Sequence, residues 1–228
     1  MENTKNFLKN AIKSNYILFI TCKWILNKFQ MLKYLGGGAK IESKSPLARI
    51  RKNIRGYNNS VTIGCGCDLD HTSIRMIGNN NSIVIGNNVS IRSCGSIWTE
   101  GNNCKVIIGD DSTFTGSVQI IAQEDNSQII IGDDCMFSNH IIVQTSDSHA
   151  IYEIGTRKRT NPAKNITIGT HVWIGPGCRI LRGVKIGDNS IIGSGSIVTK
   201  EIPNNVTAVG VPAKVVREGI TWSREPLW

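Results

Sequence analysis

The sequence predicts an all-β solenoid, a parallel β-helix whose coils stack into a triangular prism. Three observations carry this. Ile168, Ile174, Ile180, Ile186, Ile192 and Val198 stand six residues apart without a slip, and Gly follows at 169, 175, 187 and 193. A helical period of about 3.6 residues throws every sixth residue onto a wandering line, and plain strand alternation would bury polar side chains. A short strand and a tight turn, repeated every six residues, instead point each aliphatic inward, and three such sides close a coil of about 18 residues. Second, Ile85-Gly86, Ile108-Gly109 and Ile131-Gly132 recur every 23 residues, one coil plus five residues at a single corner. Third, the beat of six persists within those longer units, at Ile85/Ile91/Ile97, Ile108/Phe114/Ile120 and Ile131/Phe137/Val143.

The 228 residues suffice for one sizeable core or two small ones. The net charge of +9 is unevenly placed: residues 1–55 hold twelve Lys/Arg against two Glu, and the remainder fourteen against fifteen acidic residues. A near-neutral solenoid argues against a nucleic-acid groove on the main body. The N-terminal excess points to an anionic surface, a membrane or a charged polysaccharide. Seven Cys without disulfide-like spacing, and no cleavable signal, suit a reducing cytosol, so a cytoplasmic location is expected. The apolar run from Tyr16 to Cys22 is too short to span a bilayer.

In chain order, residues 1–38 form the first unit, an amphipathic helix over 4–35. Lys5, Lys9, Lys13, Lys23 and Asn27 share one face, Phe7, Leu8, Ile12, Phe19, Trp24, Ile25 and Leu32 fill much of the rest, and Gly36 to Gly38 stop it. Two roles stay open: bracing the raw end of the solenoid, or a peripheral contact with the inner face of the cell membrane. Residues 39–60 read as a basic connector, with Arg49, Arg51, Lys52 and Arg55 close together. The solenoid spans 61–205. Its five-residue bulges are polar, Glu100 to Asn103 and then Gln123 to Asn126, and the third is a long loop, 145–165. Residues 206–228 form an exit and a tail bearing Trp222 and Trp228.

The long loop interrupts an otherwise regular scaffold, and chemistry tends to sit in such excursions. It contains His149, in Ser146-Asp-Ser-His149. His171 reads as a solvated corner residue, and Trp173, beside the inward Ile174, faces outward as a platform for ligand. Gly175-Pro-Gly177 and Gly193-Ser-Gly195 sit within the beat without a following helix, so a dinucleotide fold fails. Cys65, Cys67 and His71 invite a zinc reading, with Cys94 and Cys104 nearby. Two Cys alternating along one strand are the simpler account, and no metal is expected.

The loop His149 followed by the block His171-Val-Trp173-Ile-Gly175, with Trp173 twenty-four positions on, resembles the hexapeptide-repeat acyltransferases. Galactoside, maltose and capsular polysaccharide O-acetyltransferases are among them. The resemblance covers most of residues 49–225 and is strongest over 145–217. It implies a left-handed β-helix, against the usual right-handed crossover, and a homotrimer with its sites between subunits. It implies acetyl-CoA as co-substrate and His149 as general base, with no nucleophilic Ser or Cys needed because the thioester is already activated. Asp147 is placed to orient the imidazolium or else to cap its own turn. Trp173 falls at the coenzyme or acceptor site. By position, Gly175 and Pro176 contact the coenzyme, Ser194 and Thr199 meet the pantetheine, and Lys200, Lys214 and Arg217 face the phosphates. Pro176 supplies no N–H, a departure if that contact is a backbone donor. Glu124, Asp125 and Asn126 are assigned to the acceptor, because their bulge should lie beside the His149 loop. The expected function is transfer of acetyl to a sugar hydroxyl of a surface polysaccharide or its precursor. The alternatives are a sugar amine, a small acceptor such as an antibiotic or serine, or a non-catalytic structural solenoid. A γ-carbonic anhydrase would need His ligands repeated on successive coils, which His140 and His149 do not provide.

Overall fold

The computed structural model describes residues 39–47 and 49–227, so the helix expected over 4–35 lies outside the described residues. Three seven-stranded sheets form the faces of one prism. Face A holds Ala39–Ser43, Asn59–Ile63, Ser82–Ile85, Lys105–Ile108, Gln128–Ile131, Ile166–Ile168 and Lys185–Ile186. Face B holds Arg51–Arg55, Ser73–Ile77, Ser96–Glu100, Gln119–Gln123, Ile142–Gln144, Arg179–Ile180 and Ile197–Val198. Face C holds Ser90–Ile91, Thr113–Gly116, Met136–Asn139, Trp173–Ile174, Ile191–Ile192, Val206–Gly210 and Ala213–Glu218. All pairings are parallel except the last, where Ala213–Glu218 turns back on Val206–Gly210.

The core is the predicted beat made solid. On face A, Ile63, Ile85, Ile108, Ile131, Ile168 and Ile186 stack in register. Face C stacks Ile91, Phe114, Phe137, Ile174, Ile192 and Ala208, the two rings 4.6 Å apart. Face B stacks Ile74, Ile97, Ile120, Val143, Ile180 and Val198. Each of these is almost fully buried, and burial of a large aliphatic is worth about 1.5–3 kcal/mol.

The corners explain the Gly and Asx residues. Between faces A and C, the residues in left-handed backbone conformation are Asn88, Asp111, Asp134, His171, Asn189 and Asn205, mostly types that tolerate it. Just before all of these but His171, a side-chain oxygen caps the coil below: Asp110 Oδ1 accepts from the Asn87 N–H at 2.7 Å and Asp133 Oδ1 from the Asp110 N–H at 2.8 Å. A Cβ on Gly86 would lie 2.3 Å from Asp110 Oδ1, so only Gly fits there. Cys65 belongs to this ladder, its thiol donating to Asn87 Oδ1, while the Cys67 thiol donates to the Gly86 carbonyl.

The basic connector is a correction. Ala39–Ser43 pairs with Asn59–Ile63, and Arg51–Arg55 with Ser73–Ile77, so residues 39–60 already belong to the prism. Their charges lie outward at Lys40, Glu42, Arg51 and Arg55, while Ile41 and Ile54 pack against the core. Lys52 is the exception: it takes an inward position beside Ile74, and burial pushes its pKa down. Likewise the exit is not wholly outside the solenoid, since Val206–Gly210 continues face C.

Candidate active site

The long loop leaves face B after Gln144 and rejoins face A at Ile166, so it occupies the A–B corner. Its root is built from buried polar groups, Thr145, Ser146 and Asn161. Thr145 Oγ1 donates to the Gln123 carbonyl and accepts from the Gln123 N–H. Asn161 staples the loop to itself: its Nδ2 donates to Asp147 Oδ2 at 2.9 Å and to the His149 carbonyl at 2.8 Å, and its Oδ1 accepts from the Ile151 N–H at 2.7 Å. Beyond His149 the chain forms a short hairpin, with Tyr152 opposite Arg159.

The polar bulge lies beneath this loop, as expected, but its side chains already have partners. Arg159 grips Glu124 with two bonds of 2.7 Å, and Ser146 Oγ donates to the same carboxylate at 2.6 Å. The guanidinium holds the Glu124 pKa down at about 2. Asp125 caps the N–H of Asn102, and Asn126 accepts from Asn103. This trio therefore serves as loop anchor and corner ladder, with Asp125 and Asn126 still exposed beside the loop.

Asp147 faces Arg182, whose Nε donates to Oδ2 at 3.0 Å, and Asn161, rather than the His149 ring. His149 is exposed, with its N–H donating to the Asp147 carbonyl at 2.8 Å. Its backbone is thus pinned at both ends, while among the described residues its imidazole makes no hydrogen bond. An imidazole held by its backbone and open at its nitrogens is suited to proton transfer.

Trp173 lies on face C, outward and half-buried between Met136 and Ile191. Its Nε1 is shielded from solvent without a hydrogen-bond partner among the described residues. In a triangular prism the A–B corner lies opposite face C. One chain therefore keeps His149 and Trp173 apart, with its own core between them.

Gly175 and Pro176 form the C–B corner, with Ser194 on the same corner one coil further on: a Cβ on Gly175 would lie 2.7 Å from the Ser194 N. The Pro176 carbonyl accepts from the Gly195 N–H at 2.8 Å. Lys214 pairs with Val209, which packs under Gly193, so it joins this corner, whereas Arg217 pairs with Thr207 further along the strand. Thr199 and Lys200 follow Ile197–Val198 and sit on the A–B corner instead. Pro176, Ser194, Thr199, Lys200, Lys214 and Arg217 are exposed, and Gly175 is buried.

His171 is not the solvated corner residue expected. Its ring stacks on Trp222, with centroids 4.1 Å apart and planes 9° from parallel. Its Nδ1 lies 2.6 Å from Asp134 Oδ2 and its Nε2 3.0 Å from the Trp222 carbonyl. Sequence reasoning could not see this, because the C-terminal tail folds back to cover the corner. Nor did it single out Asn161, Arg159 or Arg182. Buried thiols offer no rival nucleophile: burial pushes Cys104 and Cys135 up to about 11.

A family model described as bacterial transferase hexapeptide (six repeats) matches residues 165–200. The galactoside O-acetyltransferase of Escherichia coli K12 is 66% identical over 53 residues, 23% of this chain and 26% of that protein. Such alignments span only about a quarter of the first curated relatives' length. Two solved structures match far more. The polySia-specific acetyltransferase NeuO is 33% identical, with a TM-score of 0.71 over 84% of this chain and 79% of that one. The polysialic acid O-acetyltransferase OatWY is 31% identical, with a TM-score of 0.73 over 82% of this chain and 89% of that one. With the six-residue core columns, the loop histidine and this extent of shared sequence and structure, the chain belongs to the hexapeptide-repeat acyltransferases.

Proposed function

We propose that this protein is an acetyl-CoA-dependent O-acetyltransferase acting on a sugar hydroxyl of a surface polysaccharide or its precursor. The carrying observation is the unpaired imidazole of His149 on a loop whose backbone is stapled by Asn161. The named activities of the galactoside and polysialic acid relatives support sugar hydroxyls as acceptors.

In this reading His149 takes the proton of the sugar hydroxyl as its oxygen attacks the thioester carbonyl. The new C–O bond forms, the C–S bond breaks, and the imidazolium returns its proton to the departing thiolate. Backbone N–H groups at a prism corner meet the oxyanion. The exposed C–B corner, with Gly175, Pro176, Ser194 and Lys214 together, fits a long coenzyme with phosphates at one end. Thr199 and Lys200 stand on the other corner of face B.

That separation supports a homotrimer. If three prisms turn their B faces toward a common axis, the C–B corner of one copy meets the A–B corner of the next. His149 and Lys200 of one copy then face the Trp173 side of its neighbour, in a cleft that a single flat wall lacks. We place the enzyme in the cytoplasm, working on intracellular precursors. Mass spectrometry of candidate glycans after incubation with acetyl-CoA tests the function: a gain of one acetyl ester per modified sugar is expected, and unmodified glycans throughout the panel would refute it.

A further inference from the structure

The tail is a strap along the A–C corner. The Ile220 N–H donates to the Asn205 carbonyl at 3.0 Å, and from there the chain climbs back over earlier coils. Trp222 settles on His171, its Nε1 donating to the His171 carbonyl at 2.8 Å. Arg224 then crosses two coils further, with Nε on Asp134 Oδ1 at 2.7 Å, Nη1 on Thr113 Oγ1 at 2.9 Å and Nη2 on the Cys135 carbonyl at 3.0 Å. Its guanidinium carbon lies 5.5 Å from the centroid of the Trp222 ring, and it shares the Asp134 carboxylate with His171, so the indole contacts both a cation and an imidazole.

Trp222 is 9% exposed, and its ring also meets that of Trp173, at 6.1 Å between ring centroids and 49° between planes. Among the described residues the Trp173 Nε1 has no hydrogen-bond partner, so packing sets the angle of its indole. Such tilted aromatic pairs are favourable and directional.

We propose that Trp222, clamped by His171 and Arg224, is a positioning residue that fixes the indole of Trp173 for acetyl transfer. This rests on the reading of Trp173 as part of the transfer site. Trp222 itself touches neither substrate; it acts through its neighbour.

The test uses the full chain labelled with 5-fluorotryptophan, the Trp173 resonance being identified from Trp173→Phe. In Trp222→Ala that resonance should shift and broaden while that of Trp98 stays put. The kcat for acetylation of a galactoside or of polysialic acid should fall about tenfold or more, as expected for a misplaced group, with the KM for acetyl-CoA near wild type. Trp222→Phe should restore most of both. Should Trp222→Ala fail to fold, Arg224→Ala, which loosens the clamp, should move the same resonance. An unmoved Trp173 resonance overturns the proposal whatever the activity does, and a rise in kcat on loosening the strap overturns it in favour of a tail that blocks the site. A His149→Ala enzyme with full activity would sink the underlying functional reading instead, leaving the fluorine spectrum to decide the positioning.

Discussion

Arg159 and Glu124, 35 residues apart in sequence, meet through two parallel hydrogen bonds of 2.7 Å. This pair ties the loop bearing His149 to the bulge of the coil below, and Ser146 seals it from the other side. A bidentate, charge-assisted contact carries direction as well as energy. It therefore fixes where the loop stands, not merely that it stays attached.

Replacing Glu124 by Gln should loosen the loop by on the order of 1–2 kcal/mol, discounted because both partners are about one-third exposed. Amide exchange over 146–161 should accelerate, kcat should fall, and the melting temperature should move little. Because the folded pKa is depressed to about 2, the anchoring is fully present above the ordinary carboxylate range near 4.5 and is lost as pH falls toward 2. Exchange measured from pH 6 to pH 3 should show this loss in wild type and not in the Gln variant. Equal exchange in both proteins at pH 6 would contradict the anchor.

Much of the prism was legible because its signal is periodic. Ile85, Ile91 and Ile97 announce three faces by spacing alone, and the structure puts one on each. The first coil was hidden because Arg51 and Arg55 dominate a stretch whose inward residues, Lys52 and Ile54, do not repeat the aliphatic beat. His149 stood out because its loop breaks the period. Its supports did not. Asn161 serves the site through contacts within one irregular loop, and Arg182 reaches Asp147 across 35 residues, so neither falls on any repeat. The pairing of His171 with Trp222 spans 51 residues and depends on where the tail turns, which no local pattern encodes.

The coenzyme assignment predicts a binding defect. Lys200→Ala/Arg217→Ala should weaken acetyl-CoA, each lost phosphate contact costing about 1.5–3 kcal/mol when well formed, with turnover at saturation less affected. Lys214→Ala, at the corner shared with Ser194, should act in the same direction. Calorimetric titration giving the double variant wild-type affinity would remove these residues from the site.

Deleting residues 1–38 should lower the melting temperature while a folded trimer still transfers acetyl to a soluble acceptor. The first described coil leaves Ile41, Ile50 and Ile54 only partly buried at the end of the prism, an end that calls for a brace. If stability is unchanged and the deletion instead abolishes co-sedimentation with anionic liposomes, the segment is a membrane contact rather than a brace.

The proposed homotrimer with shared sites would give complementation. Mixing His149→Ala chains with Trp173→Ala chains, then refolding them together, should regenerate activity, since some clefts receive both native residues. Two inactive parents that stay inactive after mixing, in trimers shown to be hybrid, would place both residues in one chain's own site.

The most direct test of His149 as general base is single-turnover acetyl transfer by His149→Ala against wild type. A general base contributes roughly 10²–10⁴ in rate, about 3–5 kcal/mol of barrier. The transfer rate should fall by that amount, with acetyl-CoA affinity and melting temperature little altered, because among the described residues the His149 side chain makes no hydrogen bond to the loop. A folded, acetyl-CoA-binding His149→Ala protein that turns over near the wild-type rate would contradict it.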